Sequence, residues 1–453
     1  MTRLEAWKHV MKIAWPLVVA NAFWNLQLTI DRIFLGQHSS DALAAAMAAA
    51  GIFWAPMALL QQTSAYVSTF VAQYSGAHQP RKIGPALWQS FYLSFAGGLL
   101  FLLLIPVTPF IFDFFGHTQN IKFLETEYFG ALCYSALPTA FVAAVSGFFT
   151  GIEKSKIIMK INAVGLVANV LLDYLLIFGK LGFPALGIAG AGYATALAGF
   201  ASAIYGLYLI FQSQYEVQFA TRTSWKWDFI LMKRFLRFGL PSGMQWALEG
   251  LAFTGFLIIL GRMPAGDVAL AASGITVTLM MLSVLPAFGV AQAVSVLVGR
   301  YLGENRPDLA EKCSWSGLQI AALYIGVVGI SFMAIPNFYL SWFHNDSNVE
   351  MWAQIAQIVP NLLMFVALFT LFDSMNLVFS FALKGAGDTR FVSLVALVLP
   401  WPLMVFPTWL ARTSSDGVYW AWAAASVFIM LQAIVFWRRF VGGRWKQMRV
   451  IEQ

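Results

Sequence analysis

The sequence predicts an all-α polytopic membrane protein, with twelve transmembrane helices in two pseudo-symmetric six-helix bundles. Composition, the spacing of the apolar runs and an internal repeat carry that prediction. Of the 453 residues, 59% are hydrophobic and 11% charged, whereas soluble domains carry about 25% charged residues. A soluble chain of this length needs charge spread over its surface. Here the charges gather in short clusters between apolar runs of about twenty residues, each able to cross roughly 30 Å of hydrocarbon. The first six runs cover 13–35, 48–72, 88–112, 129–151, 157–179 and 186–211. Six more cover 238–260, 269–298, 315–338, 355–383, 391–410 and 418–437. The connections are too short for a folded soluble domain. No small-residue cleavage pattern follows the first run, so it reads as a retained span.

Orientation follows from the positive charges. All but five of the 28 Lys and Arg fall in connections on one side, the exceptions being Arg32, Lys122, Lys180, Arg262 and Arg412. Acidic Asp113, Glu125, Glu127, Asp346 and Glu350 lie on the side of those five. The positive-inside rule then makes both termini cytoplasmic in a multi-pass cell (inner or plasma) membrane protein. One span missed or invented would invert every later loop and scramble this asymmetry. The net charge of +7 therefore reads as membrane orientation. Its scatter over separate loops gives no stripe for nucleic acid.

The repeat is visible in register. Val71, Tyr74, Gly76, Pro80 and Trp88 recur as Val298, Tyr301, Gly303, Pro307 and Trp315. Trp15-Pro16-Leu17 pairs with Leu240-Pro241-Ser242, and Leu35-Gly36 before Asp41 pairs with Leu260-Gly261 before Asp267. Six spans return the chain to its starting side, so the halves share an orientation and are related by an axis along the membrane normal. The expected division is an N-lobe at 1–212, a cytoplasmic linker at 213–237 and a C-lobe at 238–453. Trp225, Trp227, Phe229, Ile230 and Leu231 lie among basic residues in the linker, which fits a segment lying on the membrane surface or an ordinary tether.

Two cysteines, Cys133 and Cys313, support no disulfide framework. His9, His38, His78, His117 and His344 show no metal-ligand spacing, so no metal and no cofactor are expected. Pro16, Pro286, Pro360, Pro400 and Pro402 interrupt apolar runs and permit kinks.

Four acids lie inside the spans: Asp31, Asp173, Glu249 and Asp373. A charge at mid-bilayer costs at least a few kcal/mol, so such residues face a cavity, pair with a partner or bind a proton or cation. Asp31 and Asp173 come late in two helices that both run outward, and Asn169 shares a face with Asp173. These three suit a proton or Na+ site. Alternatively, Asp31 pairs with Arg32 while Asn169 and Asp173 brace neighbouring helices. In the second half, Gln245 and Trp246 lie one turn before Glu249, and Phe369 and Asn376 flank Asp373 on its face. Acid beside aromatic ring suits a lipophilic organic cation, through counter-charge and cation–π contact. Gln27, one turn before Asp31, joins Gln245, Trp246, Glu249, Phe369, Asp373 and Asn376 as expected substrate contacts. The cation-coupling set is Asp31, Asn169, Asp173, Glu249 and Asp373.

These residues stand in motifs that resemble the multidrug and toxic compound extrusion (MATE) transporters along essentially the whole chain, in the bacterial NorM-like branch. The motifs are Asp31-Arg32-Ile33-Phe34-Leu35-Gly36, Ala72-Gln73-Tyr74-Ser75-Gly76-Ala77 and Asn169-Val170-Leu171-Leu172-Asp173-Tyr174, then the glycine-rich run from Pro184 to Gly192 and Leu383-Lys384-Gly385-Ala386-Gly387-Asp388-Thr389. The resemblance implies two six-helix lobes in a V, and export of cationic drugs in exchange for H+ or Na+. It also implies an N-lobe site at Asp31 and Asp173 and a C-lobe site at Glu249 and Asp373. Phe369 departs from sodium-coupled relatives that place a tyrosine near the C-lobe cation. Thr150-Gly151-Ile152-Glu153 is a divergent counterpart of Lys384-Gly385-Ala386-Gly387.

The expected function is therefore a multidrug efflux antiporter working by alternating access, a monomer in the lipid bilayer with small cationic drugs as partners. A rival reading is a flippase for a lipid-linked or polyanionic substrate. It calls for a basic cavity, and no span interior carries a clear Lys or Arg. An intramembrane lipid-modifying transferase is the reading from another class, and no His-rich cluster or Ser/His/Asp constellation supports an enzyme.

Overall fold

Once water is excluded, a backbone can satisfy its polar groups within one segment only as helix, and helix is what the apolar runs form. A computed structural model describes residues 2–113, 118–343 and 349–452; His117, His344 and Asp346 lie outside the described residues. The first half contains α1 (Arg3–His38), α2 (Ser40–Ala65), α3 (Val67–Gly76), α4 (Ile83–Leu102), α5 (Thr108–Asp113), α6 (Gln119–Cys133), α7 (Ala136–Gly151), α8 (Ser155–Phe178) and α9 (Gly187–Ile210). After the short α10 (Ser213–Phe219) come α11 (Phe229–Gly261), α12 (Gly266–Gly303), α13 (Pro307–Ala334), α14 (Pro336–Ser341), α15 (Val349–Ala386), α16 (Thr389–Val398), α17 (Phe406–Leu410) and α18 (Gly417–Val441). Among the described residues, 11 helical segments are long and apolar enough to cross a membrane, and the pair α6 and α7, bent by 42°, supplies a twelfth.

Proline explains that bend. Pro138 stands in the first turn of α7, so its nitrogen cannot donate to the Tyr134 carbonyl, and its ring crowds that carbonyl. The helix breaks there, with Ser135 Oγ donating to the Leu132 carbonyl at 2.7 Å. Pro16, Pro286 and Pro360 stay inside continuous helices. Pro400 and Pro402 instead accompany a π-helical turn at Trp401–Val405, a common accommodation of a disturbed hydrogen-bond ladder. The expected linker is partly helical, because α11 already begins at Phe229. Between the helices, Trp88 Nε1 donates to the Thr221 carbonyl at 2.8 Å, and Trp227 packs on Tyr92 with ring centroids 5.3 Å apart. Trp225, Phe229 and Ile230 are exposed while Leu231 is buried.

The chain forms two compact units. One comprises Trp15–Ala247, Gly299–Asn305 and Arg449–Gln453; the other comprises Met1–Ala14, Leu248–Val298 and Arg306–Met448. The core of the first joins Phe53, Phe101, Phe112 and Phe129 edge to face, at centroid separations of 5.3 to 5.8 Å. In the second, Phe256, Phe332, Phe369 and Trp422 lie in one apolar cluster, and the buried Trp422 Nε1 is satisfied by Ser273 Oγ at 3.0 Å. Leu100, Ile204, Leu323 and Ile330 are more than half exposed, as expected for side chains that meet lipid.

The repeated glycines mark where helices touch backbone to backbone. A Cβ on Gly76 at the end of α3 would strike the Arg300 carbonyl of α12, and one on Gly303 would strike the Gln73 carbonyl. Each contact is the other's counterpart under the sequence repeat. The same rule recurs elsewhere: a Cβ on Gly151 would meet the Ser68 carbonyl, and one on Gly385 the Ser295 carbonyl. Around the α3–α12 crossing, Arg300 pairs with Glu153 and with Glu304. The last described residues lie across it. Val450 N donates to Gln73 Oε1 at 2.8 Å, Arg449 Nη2 donates to Asn305 Oδ1 at 3.3 Å, and Glu452 pairs with Arg234 at 2.6 Å and Lys82 at 3.6 Å. The Arg234 guanidinium, then Lys82, holds the Glu452 carboxyl below its ordinary range.

Gly303→Ala and Gly76→Ala are each expected to cost about 1–3 kcal/mol through overpacking, seen as a lower midpoint of thermal unfolding in detergent. Gly51, with nothing within 4 Å of its built Cβ, is the control: Gly51→Ala should leave the midpoint unchanged or raise it.

Candidate functional site

The intramembrane acids fall into two clusters, one in each compact unit. The first is assembled by α1, α6 and α8. Asp173 and Asn169 lie one turn apart on α8, with no exposed surface, and Asp31 of α1 is 5% exposed. The Asp31 and Asp173 carboxyls lie within hydrogen-bonding reach of each other, and buried Tyr128 of α6 feels the charge of both. Both oxygens of Asp173, both side-chain polar atoms of Asn169 and Oδ1 of Asp31 find no hydrogen-bond partner in the protein. Arg32 points into an exposed position and acts on Asp31 only as a nearby charge, so the pairing with Arg32 considered from sequence does not form. Two carboxylates this close repel, and a buried carboxylate with no partner is costly. The arrangement is complete only with a proton or cation between the oxygens. Two carboxylates and an amide oxygen are hard donors suited to either.

The second cluster joins α11, α15 and α18 through a chain of amides. Gln432 Nε2 donates to Glu249 Oε1 at 2.9 Å, and Asn376 Nδ2 donates to Gln432 Oε1 at 2.9 Å. Asp373 lies one turn before Asn376 on α15. Glu249 and Asn376 are thus linked through the Gln432 amide, whose orientation the two bonds fix, while Asn376 Oδ1 finds no partner in the protein. Gln432 is 1% exposed, and Glu249, Asp373 and Asn376 are half-buried.

A lysine of the same compact unit is also buried. Lys384, in the last turn of α15, is 3% exposed. Its Nζ lies 3.7 Å from the centre of the Phe381 ring, and its charge acts on Glu249. The expectation that no span interior carries a clear Lys or Arg is corrected here. The apolar run ends at Leu383, which placed Lys384 in the following loop; the helix continues to Ala386 and folds the ammonium inward.

The remaining expected contacts are dispersed. Gln245 is buried and Trp246 half-buried on α11, one turn before Glu249. Gln27 is half-buried on α1. Phe369 is 1% exposed, packed in the apolar core with Phe332 and Val366. Sequence reasoning missed Gln432, although a lone amide in the apolar run 418–437 carries the same signal as the acids. Among the described residues, no group of three or more His, Cys, Asp and Glu is placed to hold a metal ion, and Cys133 and Cys313 are both buried.

Comparison with known proteins follows the duplication. The family model described as MatE matches residues 16–175 and again 241–410. A probable multidrug resistance protein NorM from Thermotoga maritima is 26% identical over 455 residues, covering 99% of this chain and 95% of the relative. A solved outward-facing multidrug resistance MATE family transporter of the MOP superfamily superposes with a TM-score of 0.88 at 19% identity, over 98% of this chain and 97% of the other. A MOP superfamily transporter from Pyrococcus furiosus, whose binding pocket has been described as of reverse polarity, gives the same score at 20% identity, over 98% and 97%. At these identities the superpositions show a shared fold.

The amide chain predicts non-additivity. Gln432→Leu deprives Glu249 of a donor and Asn376 of an acceptor, each loss costing about 1–3 kcal/mol. Asn376→Leu alone should cost a similar amount. The double variant should cost less than the sum by about 0.5–3 kcal/mol, read from unfolding midpoints of all four proteins.

Proposed function

We propose that this chain, which belongs to the MatE family of membrane transporters, exports lipophilic organic cations in exchange for H+ or Na+ by alternating access. The observation that carries the reading is the pair Asp31 and Asp173, buried side by side with Asn169 and holding five polar atoms without protein partners. A protein keeps such a group where a proton or small cation comes and goes. In this reading Asp31, Asn169 and Asp173 bind the coupling ion, and Glu249 and Asp373 respond both to it and to the guest. Guest contacts are assigned to Gln27, Gln245, Trp246, Glu249, Asp373 and Asn376, with Phe369 behind Asp373. Residues 1–212 and 238–453 are the two lobes that rearrange, with 213–237 between them.

Coupling is then competition for negative charge. A guest cation and a coupling ion that neutralise the same set of acids lower one another's affinity, and the effect is reciprocal. An ion driven inward displaces a guest outward. A membrane potential of 100 mV supplies about 2.3 kcal/mol per elementary charge, and a pH or sodium gradient adds to it. For the gradient to act in this sense, both termini face the cytoplasm of a cell (inner or plasma) membrane, as the distribution of Lys and Arg supports. The transporter works as a monomer. Lys384 gives the polyanion flippase one feature it lacked, yet the unit that holds it also holds the two acids Glu249 and Asp373, which favours a cationic guest.

The test is transport by the full chain in proteoliposomes, with proton and sodium gradients imposed separately and tetraphenylphosphonium as guest. Gradient-driven transport is expected for the native protein, in the direction opposite to the ion. Asp31→Asn, Glu249→Gln and Asp373→Asn should each lower its rate at least tenfold while leaving the protein monodisperse. Undiminished coupled transport in all three would sink the reading.

A further inference from the structure

The amide chain of the second cluster has a direction. An ionised carboxylate carries no hydrogen and can only accept, so Glu249 requires the nitrogen of Gln432, which donates to it at 2.9 Å. The Gln432 oxygen is thereby turned toward Asn376, and it accepts from Nδ2 at 2.9 Å. With its nitrogen committed to Gln432, Asn376 turns its oxygen away from the chain. That oxygen is enclosed and finds no hydrogen-bond partner in the protein. A buried acceptor left unpaired is costly, and Gln432, 1% exposed, cannot turn to relieve it without withdrawing the donor from Glu249. Asp373 stands three residues before Asn376 on α15, a spacing that sets two side chains on one face with Cβ atoms about 5–6 Å apart. A carboxylate for charge and a neutral oxygen for a hydrogen bond, at that spacing, match one kind of cation: an ammonium that still carries a hydrogen.

We propose that Asn376 Oδ1 accepts an N–H of the guest, so that the second cluster selects protonated amines over quaternary cations of the same size and charge, with Gln432 as the positioning residue that keeps the oxygen presented. This selection rests on the cation-export reading. A protonated amine completes the unpaired oxygen as it meets Asp373. A quaternary cation brings the same charge and no hydrogen. It leaves the oxygen unpaired, the situation in which a site built to bond an N–H rejects the analogue lacking it. Tetraphenylphosphonium, which has no N–H, is held by charge and apolar contact alone.

The test is equilibrium binding to the purified full-length protein at neutral pH, with two probes of equal carbon count and equal charge. One is (1-naphthylmethyl)ethylmethylammonium, which carries one N–H; the other is (1-naphthylmethyl)trimethylammonium, which carries none. Native protein should bind the first at least tenfold more tightly. Asn376→Leu should bring the ratio of the two affinities to about one, chiefly by weakening the N–H probe. Gln432→Leu, which retains the Asn376 oxygen but frees it to turn, should lower the ratio as well. A part confined to holding α15 against α18 would weaken both probes alike and leave the ratio standing. Should Asn376→Leu not survive purification, Asn376→Ala carries the same comparison. A ratio near one in native protein, or one that the Asn376 variants leave unchanged, overturns the assignment of Asn376 while the cation reading stands. An unchanged ratio in Gln432→Leu overturns its positioning role. Native protein that binds neither probe overturns the cation reading itself.

Discussion

A charge carried into hydrocarbon has to be answered there, by an opposite charge, by hydrogen bonds or by a proton, and the two acidic clusters answer it in different ways. Around Glu249 the answer is built in. Gln432 supplies a donor that Asn376 holds in orientation. Around Asp31 and Asp173 the protein supplies only proximity, leaving carboxylate and amide atoms without partners.

The helices were legible because the bilayer imposes a length and a composition on every span, and few sequences satisfy both by accident. Positions of the intramembrane acids were legible for the same reason, since a carboxylate has no default explanation inside an apolar run. Legibility failed where meaning depends on three-dimensional neighbours. Pro138 drew no notice within the run 129–151, and only its place after Tyr134 and Ser135 makes it a break. Lys384 sits one residue past the last apolar position of its run, where a lysine ordinarily reaches for water. Gln432 carries no charge and so drew no notice, although it is the partner of an acid that was noticed. Phe369 shares a face with Asp373 along the helix, yet its ring belongs to the core, because one face of α15 serves both the cluster and the packing behind it.

Duplication left a shared backbone and divergent chemistry. Gly76 and Gly303 keep equivalent contacts, as do Gly151 and Gly385, because a helix crossing at backbone distance tolerates no side chain in either copy. The charges follow no such rule. In the registers of the repeat, Glu249 corresponds to Trp24, Asp373 to Thr139 and Lys384 to Thr150. Steric constraint holds the two halves to one plan, while the intramembrane charges differ between them.

The segment from Arg449 to Glu452 lies over the place where α3 and α12 meet, fastened by the Val450 amide on Gln73 and by Glu452 between Arg234 and Lys82. Any polypeptide continuing past Glu452, whether native or an appended reporter or affinity handle, is tethered to that fastening and transmits its drag and bulk there. A carboxy-terminal fusion is therefore no neutral label for this molecule: it loads the contacts that hold the last residues to Gln73, Arg234 and Lys82.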